Sequence, residues 1–248
     1  MIPVYQIFAV VVLSLFASVA TRNLPAGTAL PIMISSTLSA KHDKPGQRIE
    51  GKLMQEVQLP SGGVLKKGAR VIGEIVAVRR PVQLTLHFDE LQDDGQTVPL
   101  NVSLRALASS QSVFEAGVPA DASTIEQSNE WVTEQVGGDY VFRGRGYVTG
   151  QGGRVGLWTA DGVIGKLGTG LDCPDGQQNG DVQALWVFST TACKAYGFGD
   201  KLTIAHDGQS APVGQITLES TAKELLLRGG SGWLLVVNPT AKAGNTKR

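Results

Sequence analysis

From residue 24 to about residue 107, apolar and polar positions alternate almost one for one. In RIEGKLMQEV, Ile49, Gly51, Leu53 and Val57 alternate with Arg48, Glu50, Lys52 and Glu56. PVQLTLHFDE alternates Val82, Leu84, Leu86 and Phe88 with Gln83, Thr85, His87 and Asp89. TVPLNVSL does the same with Val98, Leu100, Val102 and Leu104 against Thr97, Pro99, Asn101 and Ser103. A period of two marks a strand with one face buried and the other in water. Between the last two runs, the dipeptide Asp94-Gly95 predicts a tight hairpin turn. Leu91 falls on the opposite parity from Phe88, which predicts a bulge near Asp89 and Glu90. Pro99 has no amide hydrogen to give to a ladder and belongs on an edge or at a bulge.

One phrase is written twice. LPAGTALPIMI (24–34) and LKKGARVIGEIVAV (65–78) align Leu24 with Leu65, Gly27 with Gly68, Leu30 with Val71 and Ile34 with Ile75. Each reads as a glycine-tipped turn feeding a strand. In the second copy, Ala69, Val71, Gly73, Ile75 and Ala77 form one small apolar face. That suits a strand that bends or is closely approached by another backbone, as in a small closed barrel.

After Leu107 the pattern lapses. Residues 108–138 read as a polar linker, with one short helix near 124–135, because Ser123 and Thr124 can cap and Glu126 follows. A glycine-dense stretch comes next. Its Tyr140, Phe142, Tyr147 and Trp158 need somewhere to bury, which predicts short strands around tight turns. VQALWVFS, KLTIAH, VGQITLES, ELLLRG and GWLLVVN then return to strand. The expected class is all-β: a small closed or partly open barrel over 24–107, closed by a hairpin at 221–238. A Gly-rich, Cys-containing β segment at 139–220 is inserted in the barrel or adjoins it, and 239–248 is a frayed basic tail.

Composition narrows the function. Lys and Arg number 22, as do Asp and Glu, so the formal net charge is zero. No global field draws this chain to nucleic acid or to anionic lipid. MIPVYQIFAVVVLSLFASVA reads as a signal peptide at 1–20. Its apolar run leads to small residues, with cleavage expected between Ala20 and Thr21. The segment lacks an early Lys or Arg, and about 19 apolar residues could just span a bilayer, so an uncleaved anchor is the other outcome. Either way the body is exported, to the periplasm or beyond. In an oxidising compartment the two cysteines, Cys173 and Cys193, are expected to form one disulfide. It would close a loop of about 20 residues, worth about 3 kcal/mol.

The chain carries few signatures of chemistry. His42, His87 and His206 share no metal-ligand spacing. Gly229-Gly230-Ser231-Gly232-Trp233 fails as a nucleophile elbow and reads as a hairpin turn. FRGRGY (142–147) interleaves aromatics with arginines but reads first as a Gly-rich hairpin. Asp161, Asp172, Asp175 and Asp181 cluster around Cys173, with nothing to select a catalytic pair. No catalytic residue, cofactor or metal is expected.

With these strands in order, residues 24–107 resemble the C-terminal β-barrel of the TrbI-like proteins of conjugative type IV secretion. LPAGTALPIMI is similar to that barrel's opening turn and strand. VLKKGARVIGEI is similar to its hallmark segment, LTLHFDELQDDGQTVPL to its hydrophobic pair about an acidic-Gly turn, and GGSGWLLVVN to its closing strand. The likeness covers about 100 residues, the span the notable motifs occupy. It implies a barrel fold and a place in the cell envelope, where the family's barrels assemble into a channel ring. No catalytic residues transfer, because the family has none. Beyond Leu107 the chain departs: a polar linker and a Cys-containing segment stand where the family has a helical antenna.

The expectation is therefore an exported, non-enzymatic, structural or protein-binding barrel. Its partners would be envelope proteins or further copies of itself, without nucleic acid. The alternative is a protein that binds or hydrolyses extracytoplasmic polysaccharide, with Trp158, Trp186 and Trp233 as sugar platforms.

Overall fold

The computed structural model describes residues 23–117, 132–169 and 180–239. The expected signal segment at 1–20, Cys173, Asp172, Asp175 and the basic tail beyond Pro239 lie outside them. The chain opens with β1 (Ala29–Ile34), β2 (Leu38–Ser39), β3 (Arg48–Leu53), β4 (Val57–Gln58), β5 (Val64–Leu65), β6 (Arg70–Arg79), β7 (Gln83–Asp93), β8 (Gln96–Pro99) and β9 (Val102–Ala108). A short helix, α1 (Ser110–Gly117), follows. Next come β10 (Val132–Glu134), β11 (Tyr140–Phe142), β12 (Tyr147–Gly150), β13 (Gly153–Thr159), β14 (Gly162–Lys166) and β15 (Val182–Trp186). The last are β16 (Lys194–Tyr196), β17 (Leu202–His206), β18 (Gln215–Ser220), β19 (Leu226–Leu227) and β20 (Gly232–Val237).

The protein is all-β, and its main sheet is a nearly closed barrel in the order β16-β9-β20-β1-β3-β6-β7-β18-β17. Its ladders are antiparallel except β16 beside β9. The seam lies between β16 and β17, which share no ladder. At one end the Leu104 N–H reaches across to the Asp207 carbonyl at 2.7 Å.

Local sequence explains much of this. The two copies of the repeated phrase fold alike. Thr28 N–H donates to the Pro25 carbonyl and Ala69 N–H to that of Lys66, closing matching turns. Gly27 (φ 80°) and Gly68 (φ 88°) hold the left-handed position that such turns need. Both glycine amides then bond a neighbouring strand, at Val237 and Leu53. Asp94 and Gly95 both have positive φ between the paired Asp93 and Gln96, as a two-residue hairpin requires. Ile72 pairs with Glu90 and Gly73 with Phe88, so Asp89 is the bulged residue. Gly73 permits the close approach there: a Cβ on it would stand 1.9 Å from the His87 carbonyl oxygen. Pro99 lies in β8, which pairs only with β7.

The barrel interior is filled by Leu30, Ile32, Ile75, Leu86, Phe88 and Leu235, among others. At its centre Trp233 meets Phe88 edge-on, with centroids 5.8 Å apart. A six-stranded meander, β10 to β15 in sequence order, is inserted between barrel strands β9 and β16. It packs on the outside of the barrel wall. Ala29, Ala106, Ala108, Leu234 and Val236 point outward from β1, β9 and β20 into a second core with Val141, Val148, Val163, Leu185 and Phe188. Those three barrel strands are therefore apolar on both faces, as strands covered on both sides are.

Three boundaries differ from expectation. The barrel also takes β16, β17 and β18, so the inserted unit ends near β15 rather than at residue 220. Residues 108–138 hold a helix and a strand, not only linker. The helix is α1, upstream of the expected 124–135; of that range, 132–134 is strand β10 and 124–131 lies outside the described residues. Ser109 decides the start: its Oγ accepts from the Ser112 N–H at 3.1 Å, an N-cap not weighed from sequence.

Candidate protein-binding face

The register of the inserted sheet divides its side chains between two faces. Facing the barrel are Thr133, Val141, Val148, Gly156 and Gly165, paired strand to strand. Small residues there let the sheet lie close: a Cβ on Gly165 would stand 2.8 Å from the Thr190 methyl. On the opposite face Val132, Phe142, Tyr147, Leu157 and Ile164 form one continuous row across five strands. Beside it Glu134, Tyr140, Thr149 and Arg154 form a second row.

This outer face is apolar and partly open. Tyr140 and Leu157 are each 44% exposed, and Val182 at the sheet's far edge is 54% exposed. Phe142 stacks on Tyr147 at 5.0 Å, and the Arg154 guanidinium sits 5.4 Å above the Tyr147 ring. Aromatic side chains and arginine with few other charges are the composition of protein interface cores.

Buried polar contacts hold the face rigid from behind. Arg105 occupies the bulge of β9 against β20 and is buried; its guanidinium donates to the carbonyls of Ala192 and Gly168. Burial lowers its pKa from the ordinary arginine value, partly offset by Tyr196. The buried Asp139 carboxylate accepts from the Thr190 N–H and hydroxyl, both at 2.8 Å. Gln55 Oε1 accepts the Trp186 N–H at 2.7 Å, and Gln183 Oε1 the Ala29 N–H at 2.9 Å. At the surface, Lys67 and Asp161 form a 2.8 Å ion pair joining barrel and insertion. Arg105 was not singled out from sequence, although a charge inside the apolar run SLRALA is a signal for it. Gln55 and Gln183 carried no such signal, because their partners are over 100 residues away.

The residues singled out from sequence scatter. His42 lies exposed in a turn. His87 sits on the barrel exterior, 3.8 Å from Glu74 and 3.6 Å from Asp89. His206 ends β17, its Nδ1 2.7 Å from the Gln215 carbonyl. Among the described residues no group of three His, Cys, Asp or Glu could hold a metal. Ser231 is buried in the turn before β20, where its Oγ accepts the Trp233 indole N–H at 3.3 Å. FRGRGY is the hairpin between β11 and β12, closed by Gly146 in the left-handed conformation. Arg143 lies 4.7 Å over Trp158 and donates to the Gly117 carbonyl; burial lowers its pKa. Asp181 is exposed, and Cys193 is buried beside Tyr196, whose hydroxyl accepts its N–H. Of the three tryptophans named as sugar platforms, Trp233 is withdrawn into the barrel core, while Trp158 and Trp186 are partly covered against the second core.

A separate cleft of about 560 Å³ lies at the β6–β7–β8 end, lined by Lys66, Lys67, Arg70, Asp93 and Asp94. Its charges compensate one another: Lys66 pairs with Asp94, which raises the lysine pKa. No protein-family model matches the chain, and no curated protein sequence matches it.

Proposed function

We propose that this is an exported, non-enzymatic β-barrel protein of the cell envelope, with a structural, protein-binding role carried by the outer face of its inserted sheet. The observation that carries the reading is the row Val132, Phe142, Tyr147, Leu157 and Ile164, apolar across five strands and left partly open to water. The signal-like N-terminus and the resemblance to secretion-channel barrels support the envelope setting.

Polysaccharide binding is the second reading, and the Phe142–Tyr147 stack with Arg154 favours it. Leu157, Ile164 and Val182 weigh toward a protein, because aliphatic side chains offer a sugar little to stack on. Photo-cross-linking in native envelope tests the choice. A cross-linker at Tyr140 or Leu157 should yield discrete protein adducts, and one at Arg48 on the barrel exterior should not. Equal labelling at both places, or glycan adducts alone, would sink the protein-binding reading.

A further inference from the structure

We infer that the partner seated on this face is a second copy of the same chain, packed sheet to sheet about a two-fold axis. The inference deepens the protein-binding reading and rests on it. Its warrant is the order of side chains across the sheet. A two-fold axis parallel to the strands and midway between β11 and β12 places β10 opposite the partner's β13, and β11 opposite the partner's β12. The same patch then meets itself, as an isologous interface demands.

In one row this operation sets Val132 against Leu157 of the other copy and Phe142 against Tyr147. In the second row it sets Glu134 against Arg154 and Tyr140 against Thr149. Apolar meets apolar, aromatic meets aromatic, and the one acid meets the one base. By symmetry the Glu134–Arg154 pairing occurs twice. Within a single copy neither residue has an ion-pair partner among the described residues. The two stand at opposite ends of a four-strand row, about 14 Å apart at about 4.8 Å per strand, too far to satisfy each other. Sheets packed this way lie about 10 Å apart with their strands nearly aligned. The four strands that the axis superposes make a face roughly 19 Å across. That is at the small end for stable association, so a monomer–dimer equilibrium in the micromolar range is expected.

Charge reversal tests both partner and register. Arg154→Glu sets Glu against Glu134, and Glu134→Arg sets Arg against Arg154, in each case twice per dimer. Sedimentation equilibrium of the chain purified after export should show wild type dimerising and each single variant at least tenfold weaker. An equimolar mixture of the two variants should restore association, because every pair across that heterodimer is then of opposite sign. Circular dichroism should be unchanged, since both side chains are exposed. A wild type that stays monomeric to about 200 µM, roughly a hundredfold above a micromolar Kd, overturns the second-copy inference. So do single variants that dimerise like wild type, or a mixture that fails to recover. Envelope cross-links at Tyr140 or Leu157 to a different protein, together with a monomeric wild type, would overturn this inference while leaving the protein-binding reading in place.

Discussion

At the scale of single residues, the barrel depends on a few positions where backbone geometry leaves no room. Gly73 is the sharpest. A methyl group there would sit 1.9 Å from the His87 carbonyl oxygen, and neither strand of the β6–β7 pair can move without disturbing its other neighbour. Gly73→Ala should cost about 3 kcal/mol or more, read as a lower urea midpoint with an unchanged slope. Gly46→Ala, with open space around its Cβ but φ of 79°, should cost about 1 kcal/mol. Surface charges matter less. Arg70 donates to both oxygens of Glu50 and, by that hydrogen bond above all, holds the Glu50 carboxyl below its ordinary value of 4.5. Because the folded-state pKa is depressed, the pair stabilises the fold above about pH 4.5, and that stability is lost as pH falls through the folded value. Both partners lie at the surface and are partly solvated, so Arg70→Ala should cost under about 1 kcal/mol near neutral pH. The gap between wild type and variant should close on acidification, which urea melts at several pH values would measure.

At the scale of elements, the decisive contact is between the barrel wall and the inserted sheet. Strand β9 is buried at every position from Val102 to Ala108, although its lone arginine would favour water. Arg105 is tolerated because its guanidinium ties together the segments after β14 and before β16, through Gly168 and Ala192. Arg105→Met would keep much of the stem's packing and strip donors from two carbonyls. A loss of about 3 kcal/mol is expected. Hydrogen exchange should localise it: amides of β14 and β15 should exchange faster, while those of β6 and β7 keep their protection. Uniform acceleration across both sheets would contradict that division.

At the scale of the whole molecule, the insertion leaves the barrel after β9 and returns at β16. Cys193 stands just before that return, buried next to Tyr196. A disulfide from Cys173 to Cys193 would fasten the β14–β15 connection to the point of re-entry. We expect non-reducing peptide maps of exported protein to link the two cysteines, and Cys193→Ala to lower stability by about 3 kcal/mol. Free thiols at both positions would refute the link. Intact-mass analysis of the same material should give Thr21 as the first residue; a chain beginning at Met1 would instead indicate an anchor.

Features governed by near neighbours could be read from the residues alone. Strand period, the Asp94-Gly95 turn, the bulge at Asp89 and the glycine turns at Gly27 and Gly68 depend on steric and solvent preferences a few residues long. So the barrel strands and the all-β class could be read directly. The remainder was set by long-range contacts. Whether β16, β17 and β18 joined the barrel or the insertion depended on pairing between residues far apart in the chain, on which a period of two is silent. The open face was equally hidden. Tyr140, Phe142 and Tyr147 were expected to bury, and they stay partly in water because the sheet buries its other side, with Gly156 and Gly165, against the barrel.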